Sequence, residues 1–293
     1  MLMASKHVFC IGLMLLHCVK LIHGVRKADI FEGEVAQSST ANADAHSSRI
    51  TVRETETPLI SIHQPMDPED MQKMLGDHLV PDVYDGKAFI QVSVFDLSKL
   101  EIAGFLPSFM SSWCLRVSAY VKMKDSGEKG YMILSADFED TISGMFMTRG
   151  CKSSQLGTLC GTIAVKHTDE GDSKMFTVSE GGEPILHFAA QLGGVSNTAF
   201  FNWANERYVR FRLSDDKKTL LRGEQEDKTW DGNHQVQTDA FHSAIFNTKF
   251  AKYQWGYLDE VTDACRKGYC FFSEKAGFVD HEAKPVAEVG RQL

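Results

Sequence analysis

The stretch WCLRVSAYVKMKDSGEKGYMILSADF, residues 113–138, decides the reading of the fold. Leu115, Val117, Ala119, Val121 and Met123 alternate with Cys114, Arg116, Ser118, Tyr120 and Lys122. After the polar turn Lys124 to Gly130, Met132, Leu134, Ala136 and Phe138 alternate with Tyr131, Ile133, Ser135 and Asp137. A period of two on both sides of a Gly-containing turn predicts a β-hairpin. Unbroken alternation puts Arg116, Ser118, Tyr120, Ser135 and Asp137 on one face. On an open sheet that face is simply wet; on a closed or half-closed sheet it lines a polar cavity.

Strand signals continue on either side of this hairpin. Lys87 to Phe95 alternates after the turn Asp85-Gly86, and Tyr208 to Leu213 with Thr219 to Gly223 predicts a second hairpin. Thr162 to Lys166, Met175 to Val178, Ile185 to Ala190 and Tyr269 to Phe272 add further strands. Helices are few. Asp67-Pro68-Glu69-Asp70 starts one, with a capping Asp, Pro in the first turn and acids at the positive end of the helix dipole. Phe200, Phe201 and Trp203 mark a short aromatic one.

The 293 residues carry 39 acids against 31 Lys and Arg, a net charge of −8. There is no basic block interleaved with aromatics, so nucleic acid is not an expected partner. The start reads as a secretory signal. Lys6 precedes the apolar run Val8 to Leu16, which is too short to span a bilayer, and His17, Lys20 and His23 break up the residues after it. Cleavage near Gly24 leaves residues 25–57, polar and rich in Ser, Thr and acids, as a disordered linker or a second targeting segment of the complex-plastid type. The folded domain is expected over 58–280, with a flexible tail over 281–293. No later segment is apolar enough to span a membrane, so a secreted or lumenal protein is expected.

Five cysteines lie beyond Gly24: Cys114, Cys151, Cys160, Cys265 and Cys270. In an oxidising lumen the sequence-local pairs Cys151–Cys160 and Cys265–Cys270 are the easiest to bridge, and five buried thiols are the alternative. There is no CxxC, phosphate loop, dinucleotide fingerprint, Gly-x-Ser-x-Gly or HExxH. His234 and His242 are eight apart with no ligand spacing. Neither a metal nor a cofactor is expected.

Several segments, taken in order, resemble the uncharacterised bacterial branch of the acetoacetate decarboxylase-like superfamily. They are Val80-Pro81 through Asp85-Gly86 to Val94-Phe95, Gly104-Phe105-Leu106-Pro107, the hairpin with Tyr120-Val121 and Ser135-Ala136-Asp137, and Glu206-Arg207-Tyr208 with Leu221-Arg222-Gly223-Glu224 and Trp230. Tyr269 to Phe272 is similar to the final strand, so the resemblance covers roughly Val80 to Phe272. It implies a mainly β fold, a curved antiparallel sheet closed into a cone or barrel around a central cavity. It also implies chemistry on β-keto acids, which the founding enzyme performs through a Schiff base on an active-site lysine of depressed pKa.

That lysine comes after Gly-x-Pro and precedes a second lysine. The nearest match, Gly150-Cys151-Lys152-Ser153, lacks both the Pro and the second lysine. Thr148, Ser153, Ser154 and Gln155 around Lys152 read as an exposed loop, where a lysine stays charged, so Schiff-base chemistry is not expected. The reading is a domain that binds, and in a lyase or isomerase transforms, a small anionic or keto-type molecule. Arg116, Arg207, Tyr208, Arg222 and Ser135 would bind it, and Tyr120, Asp137 and Glu206, with Lys152 by resemblance, would supply chemistry. The alternatives are a non-catalytic ligand-binding module and a structural subunit of a larger assembly. Solvated strand ends remain the plainer explanation for the Glu206-Arg207-Tyr208 and Arg222-Gly223-Glu224 charges.

Overall fold

The computed structural model describes residues 51–102, 111–139, 163–195, 198–214, 218–243, 265–281 and 283–288. Strands dominate them: β1 (Thr51–Met66), β2 (Leu79–Pro81), β3 (Val83–Tyr84), β4 (Lys87–Ile102), β5 (Ser112–Met123), β6 (Lys129–Phe138), β7 (Ile163–Glu170), β8 (Ser173–Glu180), β9 (Glu183–Val195), β10 (Val209–Leu213), β11 (Thr219–Ser243), β12 (Cys270–His281) and β13 (Lys284–Glu288). Two short helices accompany them, α1 (Pro68–Leu75) and α2 (Ala199–Asn205).

Hydrogen bonds run through seven strands and close on themselves, in the order β6-β5-β4-β1-β12-β11-β10 and back to β6. Every ladder in this ring is antiparallel except the last, where β10 pairs parallel to β6 through Arg210–Tyr131 and Phe211–Met132. The ring therefore has an inner and an outer face, and the pleat sends alternate side chains to each. Strand β11 is long enough to leave the ring. Its far end pairs with β9, and β8 and β7 extend the sheet from there.

This extension covers the outer face. Phe176, Val178, Leu186 and Phe188 share one buried apolar cluster with Ile60, Ile62, Val92, Val94, Leu115, Val117 and Ala119. Helix α1 adds Met71, Met74 and Leu75 to the same cluster. Its Asp67 cap accepts the Glu69 amide at 2.8 Å, as the sequence predicts. Asp85 and Gly86 both take positive φ, which allows the two-residue turn that joins β3 to β4.

Two boundaries differ from expectation. Residues 51–56, expected in the linker before Pro58, pair on one side with β4 and on the other with β12. Lys284–Glu288 is not a loose tail but a strand against β11. Cys265 and Cys270 form a disulfide at the start of β12, and Cys114 is a buried free thiol. Cys151 and Cys160 lie outside the described residues. None of the helices among those residues is long and apolar enough to cross a membrane, and no group of three or more His, Cys, Asp or Glu side chains among them is arranged to hold a metal.

Candidate functional site

The β5–β6 hairpin carries a one-residue irregularity that redistributes the expected site. Tyr120 pairs with Tyr131 and Ser118 with Ile133, but Val117 then pairs with Ser135, leaving Leu134 as an extra residue. A bulge of this kind reverses the facing of everything beyond it. Arg116 thus shares its face with Ala136 and Ser93, while Asp137 lies opposite Leu115. The expectation that Arg116 and Asp137 point into one cavity is corrected. Ser135 and Asp137 turn to the outer layer, fully buried there, with Ser135 donating to Asp137 at 3.2 Å.

What Arg116 meets instead comes from β1. Glu54 and Glu56 sit two apart on the strand and so project to the same side. They lie opposite Phe278 and Ala276 of β12, and Asp280 occupies the next position on that face, opposite Val52. Strand β10 contributes Arg210 and β11 contributes Gln225. Arg116 Nη1 stands 3.0 Å from Glu56 Oε1, with its guanidinium 4.7 Å above the Phe95 ring. Arg210 Nη1 donates to Asp280 Oδ2 at 2.8 Å, and Gln225 Nε2 donates to Asp280 Oδ1 at 3.0 Å. Glu54, Glu56 and Asp280 are at most 3 % exposed. Three buried carboxyls and two mostly buried guanidiniums from four strands are therefore gathered on the inner face of the ring.

Their titration is distorted accordingly. Burial raises the Glu54 carboxyl well above its ordinary value, the charges of Asp280 and Glu56 push it further, and Arg210 and Arg116 pull only partly against this. Burial works against the Arg116 and Arg210 cations, but the surrounding acids outweigh it and both are held more firmly charged than usual. Three polar atoms in this interior find no hydrogen-bond partner among the described residues: Glu54 Oε1, Arg116 Nε and Ser118 Oγ. An acceptor or donor so buried costs free energy unless something else completes it.

The other end of the interior is aromatic. Phe89, Tyr120, Tyr131, Phe200 and Phe271 cluster there, with Trp203 and Tyr269 packed against them. Among these rings His63 donates from Nδ1 to the Tyr269 carbonyl at 2.8 Å and accepts the Tyr120 hydroxyl on Nε2 at 2.8 Å. Burial lowers its pKa to about 4, and the nearby Arg207 cation also works in that direction against the Tyr269 hydrogen bond. Arg207 is buried, hydrogen-bonded to Asp82, and lies 4.0 Å from the Trp203 ring and 4.7 Å from that of Tyr120. Lys122 reaches the same Asp82 at 3.0 Å.

Of the residues singled out by sequence, Arg116 and Tyr120 lie on the inner face, and Arg207 joins the aromatic end. Arg222 is outside, paired with Glu128 at 2.6 Å and Glu224 at 3.0 Å. Its position opposite Phe211, not Arg210, puts it on the outer face of the ring. Glu206 caps the end of α2 in solvent and Tyr208 is 58 % exposed. Lys152 lies outside the described residues. Sequence reasoning missed Glu54, Glu56, His63, Arg210, Gln225 and Asp280. The available signal was the period of two through Val52, Glu54 and Glu56, and the alternation of Arg210 and Arg212 with Val209, Phe211 and Leu213.

The fold recurs in solved structures of low sequence identity. An acetoacetate decarboxylase from Legionella pneumophila is 14 % identical with a TM-score of 0.57, the match covering 88 % of this chain and 99 % of that one. An acetoacetate decarboxylase-like enzyme from Sphingomonas wittichii is 11 % identical with a TM-score of 0.52, covering 87 % and 100 %. The enduracididine biosynthesis enzyme MppR, solved with pyruvate, is 10 % identical with a TM-score of 0.54, covering 88 % and 99 %. At these identities the likeness establishes a common fold. A search of the curated proteins finds no match to this sequence. The profile of DUF2071, described as an uncharacterised conserved protein, spans residues 56–254, and with that match over most of its length the chain belongs to the DUF2071 family.

Proposed function

We propose that this protein binds a small keto-type carboxylic acid inside the seven-strand ring, with Arg116 as the main anchor for its carboxylate. One observation carries the reading. The inner face holds a desolvated group of acids and guanidiniums around Arg116, whose Nε–H has no hydrogen-bond partner among the described residues. A guanidinium fork is suited to a planar carboxylate, and Glu54 and Ser118 offer further polar atoms for a carbonyl or hydroxyl on the same ligand. A purely structural subunit would be better served by apolar filling, since buried ion pairs are a poor source of stability. Proteins of this fold named in the comparison agree with the ligand class: one is an acetoacetate decarboxylase, and MppR was solved with pyruvate.

The test is titration calorimetry with pyruvate and with acetoacetate. Wild type should bind at least one of them. The charge-conserving double variant Arg116→Gln/Glu56→Gln should stay folded and bind at least about tenfold more weakly, the worth of a charge-assisted hydrogen bond. Equal affinity in the double variant would remove Arg116 from the site.

Schiff-base catalysis on Lys152 is not expected, and borohydride trapping with acetoacetate tests this: no covalent adduct should form, and an adduct lost in Lys152→Arg would overturn the expectation. The Cys265–Cys270 disulfide supports placing the mature protein in an oxidising compartment, and a mature chain found to start near Val25 by mass spectrometry is the expected result.

A further inference from the structure

We infer that Glu54 and Asp280 form an acid–base pair that enolises the keto acid held in the ring, Glu54 giving its proton to the keto oxygen and Asp280 taking one from the adjacent carbon. This rests on the binding reading above and adds a reaction to it. The placement comes from the β1–β12 ladder. Glu54 lies opposite Phe278 and Asp280 opposite Val52, so the two acids are diagonal neighbours on one face of adjacent strands. Such positions are roughly 7–8 Å apart along the backbone, close enough for long side chains to serve one small molecule between them.

The two carboxyls are built differently. Asp280 is an ion-paired carboxylate: Arg210 holds one oxygen and Gln225 the other, and each oxygen keeps a lone pair for a proton. Glu54 has no such partner; its Oε1 is buried and without a hydrogen bond among the described residues. Burial and the Asp280 and Glu56 charges keep it protonated well past the pH at which a free carboxyl ionises. A buried carboxyl whose pKa is raised, set beside a carboxylate held by an arginine and a glutamine, is suited to act as acid with its neighbour as base toward the same substrate.

The step balances within the site. The C–H electron pair next to the carbonyl becomes the C=C bond of the enol. The carbonyl π pair takes the Glu54 proton as a new O–H bond, and the carbon's proton goes to Asp280. Glu54 ends as the carboxylate and Asp280 as the acid, so the interior gains no charge. That matters because an additional uncompensated charge there would be expensive. Arg210 on β10 and Arg116 on β5 face the position where Glu54 becomes negative, and Glu56 on β1 and Tyr131 on β6 complete its surroundings.

Incubation of the full protein with pyruvate in D2O tests this, with proton NMR monitoring loss of the methyl signal. Wild type should accelerate deuterium exchange over buffer. Glu54→Gln, which mimics the protonated acid in shape and charge, should lose exchange by about a hundredfold or more at saturating pyruvate. Glu54→Asp should recover part of the rate. The wild-type rate should fall as pH rises and Glu54 ionises, a dependence that a merely structural residue would not impose. Binding without exchange, or unchanged exchange in Glu54→Gln, overturns the pair while leaving the binding reading intact; absence of binding of both pyruvate and acetoacetate by wild type overturns both.

Discussion

The Tyr120 hydroxyl lies 2.8 Å from Nε2 of His63, and because Nδ1 of that ring faces the Tyr269 carbonyl, the tyrosine is the donor. Burial favours the neutral histidine, and a proton added to Nε2 would reverse this bond, making the Tyr120 oxygen the acceptor and leaving its O–H without the ring nitrogen.

This pair makes stability depend on pH. The His63 pKa is lowered from the ordinary 6.5 to about 4, so the unfolded chain takes up a proton before the folded one does. The contribution is complete above about pH 6.5, is lost as pH falls toward 4, and amounts to ~3 kcal/mol over that span. Urea unfolding of wild type and His63→Gln at pH 7, 5 and 4 checks it. The variant should be less stable at pH 7 but show a flatter decline, and parallel pH profiles would sink the assignment.

Glu54 gives the opposite slope. Its folded pKa is raised, so its contribution is present below the unfolded carboxyl value and is lost as pH rises through the folded value. Glu54→Gln cannot ionise and should escape that loss. Its melting temperature is expected to match wild type in mild acid and exceed it in the alkaline range. A variant that melts lower at every pH would mean that the carboxyl makes a contact glutamine cannot.

Arg116→Ala should be strongly destabilising, by about 3–5 kcal/mol, because it leaves Glu56 buried without its guanidinium. Adding Glu56→Gln should recover most of this. A double-mutant cycle by chemical denaturation measures the coupling, and additive losses would show that the two side chains act independently.

Gly130 is where the ring closes. A Cβ there would fall 2.6 Å from the Val209 carbonyl oxygen and 2.6 Å from the Phe211 ring. The ring can turn, but the backbone oxygen cannot yield without β10 moving from β6. Gly130→Ala should therefore lower stability by about 1–3 kcal/mol, read as a reduced urea midpoint. An unchanged midpoint would show that the closing strand has slack.

The fold was legible where one face of a strand is apolar. Leu115 to Met123 and Ile185 to Ala190 declare their periods because alternate side chains enter a core. Residues 51–56 conceal theirs. The strand uses one face for Glu54 and Glu56, so a stretch that builds the site has the composition of a linker. Asp280 was hidden similarly, beyond the apolar Phe271 and Phe272. Arg222 and Arg210 show the limit of residue type as a guide. Both are arginines on the same hairpin, and only pairing opposite Gly223 or Phe211 decides which one enters the ring.

The extra residue at Leu134 bears on how related chains are compared. Beyond it, each column of an alignment changes meaning. A relative of equal length with an unbulged β6 would turn inward the side chains aligned with Ser135 and Asp137, and outward those aligned with Ala136 and Phe138. Identical letters at those columns would then stand for different jobs, and differing letters for the same one. Transfer of site residues among such proteins has to track the ladder partner on β5 rather than the column number.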